Sequence, residues 1–165
     1  MSKLFEKEFI SHCNNQELEV NPNQIAVIKK LEQYYQSNFK SFFSKLFSKQ
    51  NSKKGFYLFG GVGVGKTMIL NFFIDQVDQK KLRQHFNEFM LSFHDFAHER
   101  KDKNEENVIN QFVKNLKLKA SLIYFDEFQV TNIVDAMILG KLFDQIFKED
   151  IKIIVTSNTK ISELY

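Results

Sequence analysis

The sequence predicts an α/β protein whose core is a parallel β-sheet flanked by helices. Three short apolar segments have the length of buried strands, and they alternate along the chain with segments of helical periodicity. These strand candidates cover residues 56–59, 121–125 and 151–155. Such alternation is typical of a parallel sheet with helices on both faces. Helical periodicity alone precedes the first strand, so we expect two parts: an N-terminal helical segment at 1–50 and an α/β core at 51–165.

The remaining elements follow from the spacing of apolar residues. A short helix is expected at 3–13, and a long or broken amphipathic helix starts near Pro22 and extends to about Ser48. The apolar residues of 85–90 suggest a further strand at that place. Helices are predicted at 66–78, 91–100, 108–118 and 133–147.

Composition narrows the class of protein. The 165 residues are 43% hydrophobic and 26% charged, which is ordinary for a globular protein. No apolar run is long enough to span a membrane, and the N-terminal residues do not resemble a signal peptide. The single cysteine, Cys13, fits a reducing compartment, so a cytoplasmic location is predicted. A net charge of +3 is too small to indicate nucleic-acid binding, and nucleic acid is not expected as a partner.

A glycine-rich loop follows the first predicted strand. Four of the six glycines lie within residues 60–65, and Lys66 and Thr67 complete the pattern G-x-x-x-x-G-K-[ST]. Glycine lets backbone N–H groups point at phosphate oxygens, and the following helix directs its positive end at them. Lys66 supplies a cation for the phosphates and Thr67 a hydroxyl for Mg²⁺. The predicted nucleotide-binding residues are Gly60, Gly61, Val62, Gly63, Val64, Gly65, Lys66, Thr67 and Met68.

Two carboxylates follow the buried strand at 121–125. Because ligands bind at the carboxyl ends of parallel strands, Asp126 is expected to hold Mg²⁺ together with Thr67, and Glu127 to activate the attacking water. A GTPase would have Asp-x-x-Gly at this place, whereas Gln129 stands where that glycine would be. A GTPase would also have Asn/Thr-Lys-x-Asp after a late strand, and the nearest match ends in Ser162. ATP is therefore favoured over GTP.

The last predicted strand ends in polar residues. If it neighbours the strand of the phosphate loop, a polar side chain here would lie beside the γ-phosphate. We predict that Asn158 positions the attacking water. The predicted catalytic residues are thus Lys66, Glu127 and Asn158.

Several of these segments resemble the ATPase family of the bacterial cell-division protein ZapE, which has mitochondrial relatives. The resemblance runs from about Asn21 to Tyr165. It includes residues 57–68 around the phosphate loop, 85–90 with His94 and His98, 125–139 after the acidic strand, 156–158 and 163–165. The run 125–139, FDEFQVTNIVDAMIL, is the most specific part. Asn87 and Lys141 depart from the family pattern, which usually has His and often Arg there.

The resemblance implies an AAA+-like fold with an additional strand between the strand of the phosphate loop and the acidic strand. It also implies Mg-dependent ATP hydrolysis and assembly of subunits. In bacteria it implies a role at the division site with FtsZ as the protein partner, and in mitochondria a role in protein quality control.

Members of that family continue past the equivalent of Tyr165 into a last strand, an arginine finger and a C-terminal helical part. No arginine follows Arg100 in this sequence, so we expect a chain that binds ATP and hydrolyses it poorly. The strand of the phosphate loop would then form an exposed edge, which favours self-association. The leading interpretation is an Mg-dependent ATPase that couples ATP hydrolysis to remodelling of a protein partner. Two alternatives stay open at this point: a truncated ATP-binding module with negligible hydrolysis, and an AAA+ loader of a DNA helicase.

Overall fold

The structure is a computed structural model that describes residues 4–39, 53–100, 104–130 and 132–164. Its helices are α1 (Leu4–Asn15), α2 (Pro22–Phe39), α3 (Lys66–Gln76), α4 (Phe86–His98), α5 (Glu105–Lys119) and α6 (Ile133–Lys148). Its strands are β1 (Gly55–Phe59), β2 (Lys81–His85), β3 (Leu122–Asp126) and β4 (Lys152–Ser157), followed by a 3₁₀ turn at Ile161–Glu163. Among the described residues, none of the helices combines the length and apolar character needed to cross a bilayer.

The chain forms two compact units, Met1–Phe56 with Gly63–Asp78, and Tyr57–Val62 with Gln79–Tyr165. The two-part division predicted from the sequence, at 1–50 and 51–165, stays a prediction. The predicted long helix is present as α2, and its expected continuation to Ser48 lies outside the described residues.

The first unit is a helical layer made of α1, α2 and α3. The apolar faces of these helices meet in an aromatic cluster in which the ring of Phe73 lies 5.9 Å from Phe5 and 6.2 Å from Tyr35. Phe9 and Leu70 are fully buried in the same unit. Because such interiors are close-packed, this cluster fixes α3, the helix that follows the phosphate loop.

Most of the sheet lies in the second unit, and its strand order is β1-β4-β3-β2. The β2–β3 and β3–β4 pairs are parallel, and β4 is the additional strand that the resemblance implied. Every residue of β3 and β4 is buried, which is why both were recognisable as apolar runs. The α/β fold predicted from the sequence is confirmed. β1 is an edge strand of the sheet that the described residues form.

The prediction of a strand at 85–90 is wrong. The strand there is β2, which ends at His85, and α4 begins at Phe86. β2 alternates exposed and half-buried residues, as an edge strand does, so it lacks the apolar run that signals a central strand. The apolar residues at Phe86, Phe89 and Met90 instead form the buried face of α4, at the spacing of a helix.

Candidate nucleotide-binding site

The glycine-rich loop has the backbone that its sequence pattern requires. Gly63 and Gly65 have φ values of 80° and 85°, a region that residues with a side chain rarely adopt. Gly65 is also the N-cap of α3, and no side chain caps this helix N-terminus. Val62 and Val64 are exposed on the loop. The helix thus begins at Lys66 with its positive end uncovered by any capping side chain, which is the arrangement that binds phosphate.

Gln24 of α2 supports this loop within the first unit. Its amide Nε2 donates a hydrogen bond to the backbone oxygen of Val64, 3.2 Å away. A methyl group on Gly65 would come within 2.6 Å of the same nitrogen, so the Gln24 side chain would have to move. The φ of 85° at Gly65 also disfavours any residue with a side chain. The methyl carbon of Met68 would lie 3.6 Å from the same added methyl group on Gly65. With its oxygen bound to Gln24, Val64 cannot turn that carbonyl toward a bound anion.

The first residue of the loop lies at the carboxyl end of the sheet. The N–H of Gly60 donates to the backbone oxygen of Ser157 at the end of β4, 3.2 Å away. Both residues belong to the second unit. The loop therefore starts at the carboxyl end of the sheet, where the acidic pair Asp126 and Glu127 also lies.

Asp126 is the buried centre of a polar cluster at the carboxyl end of the sheet. Its Oδ1 accepts a hydrogen bond from the Thr156 hydroxyl at 2.7 Å, and its Oδ2 accepts one from Arg83 Nη2 at 3.0 Å. The guanidinium also lies over the ring of Tyr124, 5.4 Å from its centroid. Burial opposes ionisation of Asp126, but the hydrogen bonds from Thr156 and Arg83 outweigh it and hold the pKa of Asp126 below its usual range. The carboxyl group of Asp126 is therefore charged, as a carboxylate that binds magnesium must be.

Glu127 has a strained backbone that neighbouring bonds hold in place. Its φ of 54° lies in the left-handed region, which costs a non-glycine residue about 1 kcal/mol. Its N–H donates to the Thr156 hydroxyl oxygen at 3.2 Å, and the N–H of Phe128 donates to the Thr156 carbonyl at 2.7 Å. The Glu127 side chain is 79% exposed, and one carboxylate oxygen lies 3.9 Å from His85 Nδ1. This conformation turns the carboxylate of Glu127 out of the protein, where it can reach a water molecule.

The predicted site residues are divided between the two units. Gly60, Asp126, Glu127 and Asn158 lie in the second unit, and Asn158 is exposed directly after β4. Lys66, Thr67 and Met68 begin α3 in the first unit, together with Gly63, Val64 and Gly65. The joint binding of Mg²⁺ by Thr67 and Asp126 stays a prediction.

Sequence reasoning missed Arg83, Thr156 and Gln24. Thr156 could have been found, because the parallel register pairs Phe125 with Val155 and so places the next residues, Asp126 and Thr156, side by side. Arg83 was missed because the second strand was predicted at 85–90, which does not include this residue. Gln24 gave no signal, since its contact with Val64 spans 40 residues of sequence.

These residues fit magnesium and a nucleoside triphosphate. Two left-handed glycines and a helix N-terminus without a side-chain cap suit a phosphate chain, and an ionised, buried carboxylate suits a divalent cation. A strand, a glycine-rich loop and a helix, with acidic residues at the end of another strand of the same sheet, define the P-loop class of nucleotide-binding proteins.

Comparison with known proteins places the chain within that class. The profile of the AFG1-like ATPase family matches residues 4–165, and the chain belongs to this family. It is 38% identical over 128 residues to the zebrafish (Danio rerio) protein named Lactation elevated protein 1 homolog B, covering 72% of this chain and 25% of that protein. It is 34% identical over 119 residues to the Cell division protein ZapE of Escherichia coli K12, covering 72% of this chain and 31% of that protein. The chain thus spans a quarter to a third of the length of these relatives.

The fold is also found among solved structures. Domain III of the replication initiation protein DnaA from Thermotoga maritima has a TM-score of 0.56 at 17% identity, and the match covers 88% of this chain and 55% of that chain. At this level of identity the likeness concerns the fold alone. It agrees with the AAA+-like fold that the resemblance implied.

Proposed function

We propose that this chain binds Mg-ATP on the loop Gly60–Thr67 and hydrolyses it, and that hydrolysis is coupled to remodelling of a protein partner. The observation that carries the proposal is the loop itself, in which Gly63 and Gly65 are left-handed and lead into an α3 N-terminus that no side chain caps. Membership of the AFG1-like ATPase family supports ATP as the substrate.

Each predicted residue has a role in this proposal that its chemistry supports. Backbone N–H groups of the loop and the Lys66 ammonium bind the phosphates. The hydroxyl of Thr67 and the carboxylate of Asp126 hold Mg²⁺, which neutralises phosphate charge when bound. Glu127 accepts a proton from the attacking water, and Asn158 orients that water by hydrogen bonding.

The cellular role that we propose follows the relatives. ZapE is named as a cell division protein, so a division role is proposed if the source is bacterial, with FtsZ as the partner that the resemblance implied. A role in quality control is the counterpart in mitochondria. Self-association is proposed because β1 is an edge strand of the described sheet, and exposed edges pair with other chains.

Nucleotide binding and turnover test the proposal separately. A fluorescent ATP analogue should bind the purified chain in the presence of Mg²⁺, and Lys66→Ala should weaken that binding by roughly 10–100-fold because a charged hydrogen-bond partner is lost. Lys114→Ala, which removes an exposed lysine in the middle of α5, is the matched control and should bind normally. Normal binding by Lys66→Ala would rule out the phosphate role of the loop.

Phosphate release should then be measured over a range of protein concentrations. Glu127→Gln should bind ATP as well as the unsubstituted chain but release no phosphate, while Glu106→Gln, at an exposed position on α5, should behave as unsubstituted. Equal turnover by Glu127→Gln would exclude Glu127 as the base. Turnover per subunit that rises with concentration would support self-association, and a constant value would argue against it.

A further inference from the structure

We propose that Arg83 is a built-in counter-cation of Asp126 that competes with the divalent cation, and that it thereby sets the Mg²⁺ concentration at which nucleotide binds. This inference rests on the proposed function, because it assigns to Arg83 a part in the magnesium site. Arg83 is a positioning residue in this account, acting on the metal through Asp126.

The first argument is that both oxygens of the Asp126 carboxylate are already engaged. Thr156 donates to Oδ1 and Arg83 donates to Oδ2. The hydroxyl of Thr156, on the neighbouring strand β4, fixes Oδ1 by its hydrogen bond and adds no formal charge. A cation that approaches Asp126 therefore meets the guanidinium at Oδ2.

The second argument is the difference in burial between the partners. The Asp126 side chain is 7% exposed and that of Arg83 is 46% exposed. A buried carboxylate needs a nearby positive charge, and arginine supplies one at every physiological pH. The half-exposed guanidinium can move into solvent, whereas Asp126 is fixed by Thr156. The pair can thus open on the arginine side when a stronger cation arrives.

The third argument is the position of Arg83 in the sheet. It lies on β2, opposite Tyr124 in the parallel register, and its side chain extends along the sheet to the carboxyl end of β3. The contact with the Tyr124 ring supports the side chain in this direction. A cation held so close to Asp126 repels Mg²⁺, so its removal should favour the metal.

The test compares Mg²⁺ dependence in three variants. Binding of a fluorescent ATP analogue is measured across a series of Mg²⁺ concentrations to obtain the Mg²⁺ midpoint. Arg83→Gln removes the charge, and we expect its midpoint to fall by about tenfold. Arg83→Lys keeps a charge but loses the forked geometry, so its midpoint should fall less. Arg100→Gln is the matched control, because Arg83 and Arg100 are the only arginines of the sequence and Arg100 lies over the ring of Phe96 instead.

A second readout needs no nucleotide. Without metal, Arg83→Gln should unfold at a lower temperature than Arg100→Gln, since it leaves Asp126 without its counter-ion. Added Mg²⁺ should raise the unfolding temperature of Arg83→Gln by more than that of the unsubstituted chain. If Arg83→Gln does not fold, the Mg²⁺ midpoint of Arg83→Lys decides.

The outcomes separate this inference from the proposed function. An unchanged or higher Mg²⁺ midpoint in a folded Arg83 variant would overturn the competition and leave a purely structural ion pair. Absence of Mg-dependent nucleotide binding by the unsubstituted chain would instead overturn the proposed function. A lower midpoint confined to the Arg83 variants would support the inference.

Discussion

At the scale of single residues, the site depends on a few side chains that hold backbone in unusual conformations. Thr156 binds both the Asp126 carboxylate and the N–H of Glu127, so one hydroxyl positions the metal-binding and the catalytic candidates together. Gln24 likewise positions the phosphate loop, because its amide donates a hydrogen bond to the carbonyl of Val64. Neither residue was among the predicted site residues, and both act by fixing the direction of a neighbour.

Replacement of Gln24 by Glu should weaken nucleotide binding about tenfold. The carboxylate would have the same shape as the amide but would repel the Val64 oxygen, and its charge would oppose the phosphates. Gln76→Glu, at an exposed position at the end of α3, adds the same charge and should bind the fluorescent analogue normally. Equal affinities in the two variants would show that the contact does not organise the loop.

At the scale of elements, the start of α4 decides where β2 ends. The N–H of His85 donates to the Glu88 carboxylate, 3.3 Å away, as in a capping box, and the chain turns from strand to helix at this point. The register places His85 opposite Asp126, so the end of β2 lies beside the acidic site. The cap of α4 thus lies next to the acidic site, and the register between β2 and β3 determines which residue of β2 lies opposite Asp126.

Glu88→Ala should lower the free energy of unfolding by about 1 kcal/mol through loss of this cap. Glu106→Ala removes a carboxylate from the first turn of α5, where the N-cap bond is made by Asn104 instead. It should have the smaller effect of about 0.5 kcal/mol through the helix dipole. Chemical denaturation of both variants tests the difference, and equal losses would argue against the cap.

At the scale of the whole molecule, each unit has a core of its own. The first is an aromatic cluster among α1, α2 and α3, and the second packs helices on the sheet. Since stability comes mainly from such burial, truncation of a core residue in either unit should be costly.

Two matched pairs of leucines test this. Leu31→Ala in the first unit and Leu122→Ala in the second each remove a fully buried side chain, and each should cost about 2–5 kcal/mol. Leu18→Ala and Leu118→Ala, at positions 40% and 76% exposed, should change stability by about 0.5 kcal/mol or less. Denaturant unfolding measures all four. A small loss at Leu31 or Leu122 would contradict the assigned core of that unit.

The sequence by itself determined the phosphate loop, the acidic pair and the central strands β3 and β4. These features are local: glycine is favoured where φ is positive, and fully buried strands are apolar over most of their length. It did not determine β2, because an edge strand with alternating exposure resembles a polar loop, while the phenylalanines of α4 suggested a strand.

Only the tertiary structure decided the partners of Asp126 and the support of Val64. Arg83, Asp126 and Thr156 come from three strands, and Gln24 reaches the loop from a helix 40 residues earlier in the chain. No local pattern encodes such contacts, since they arise from the order and register in which strands and helices pack. The motifs therefore predicted the chemistry of the candidate site, whereas the fold set the electrostatic environment of Asp126.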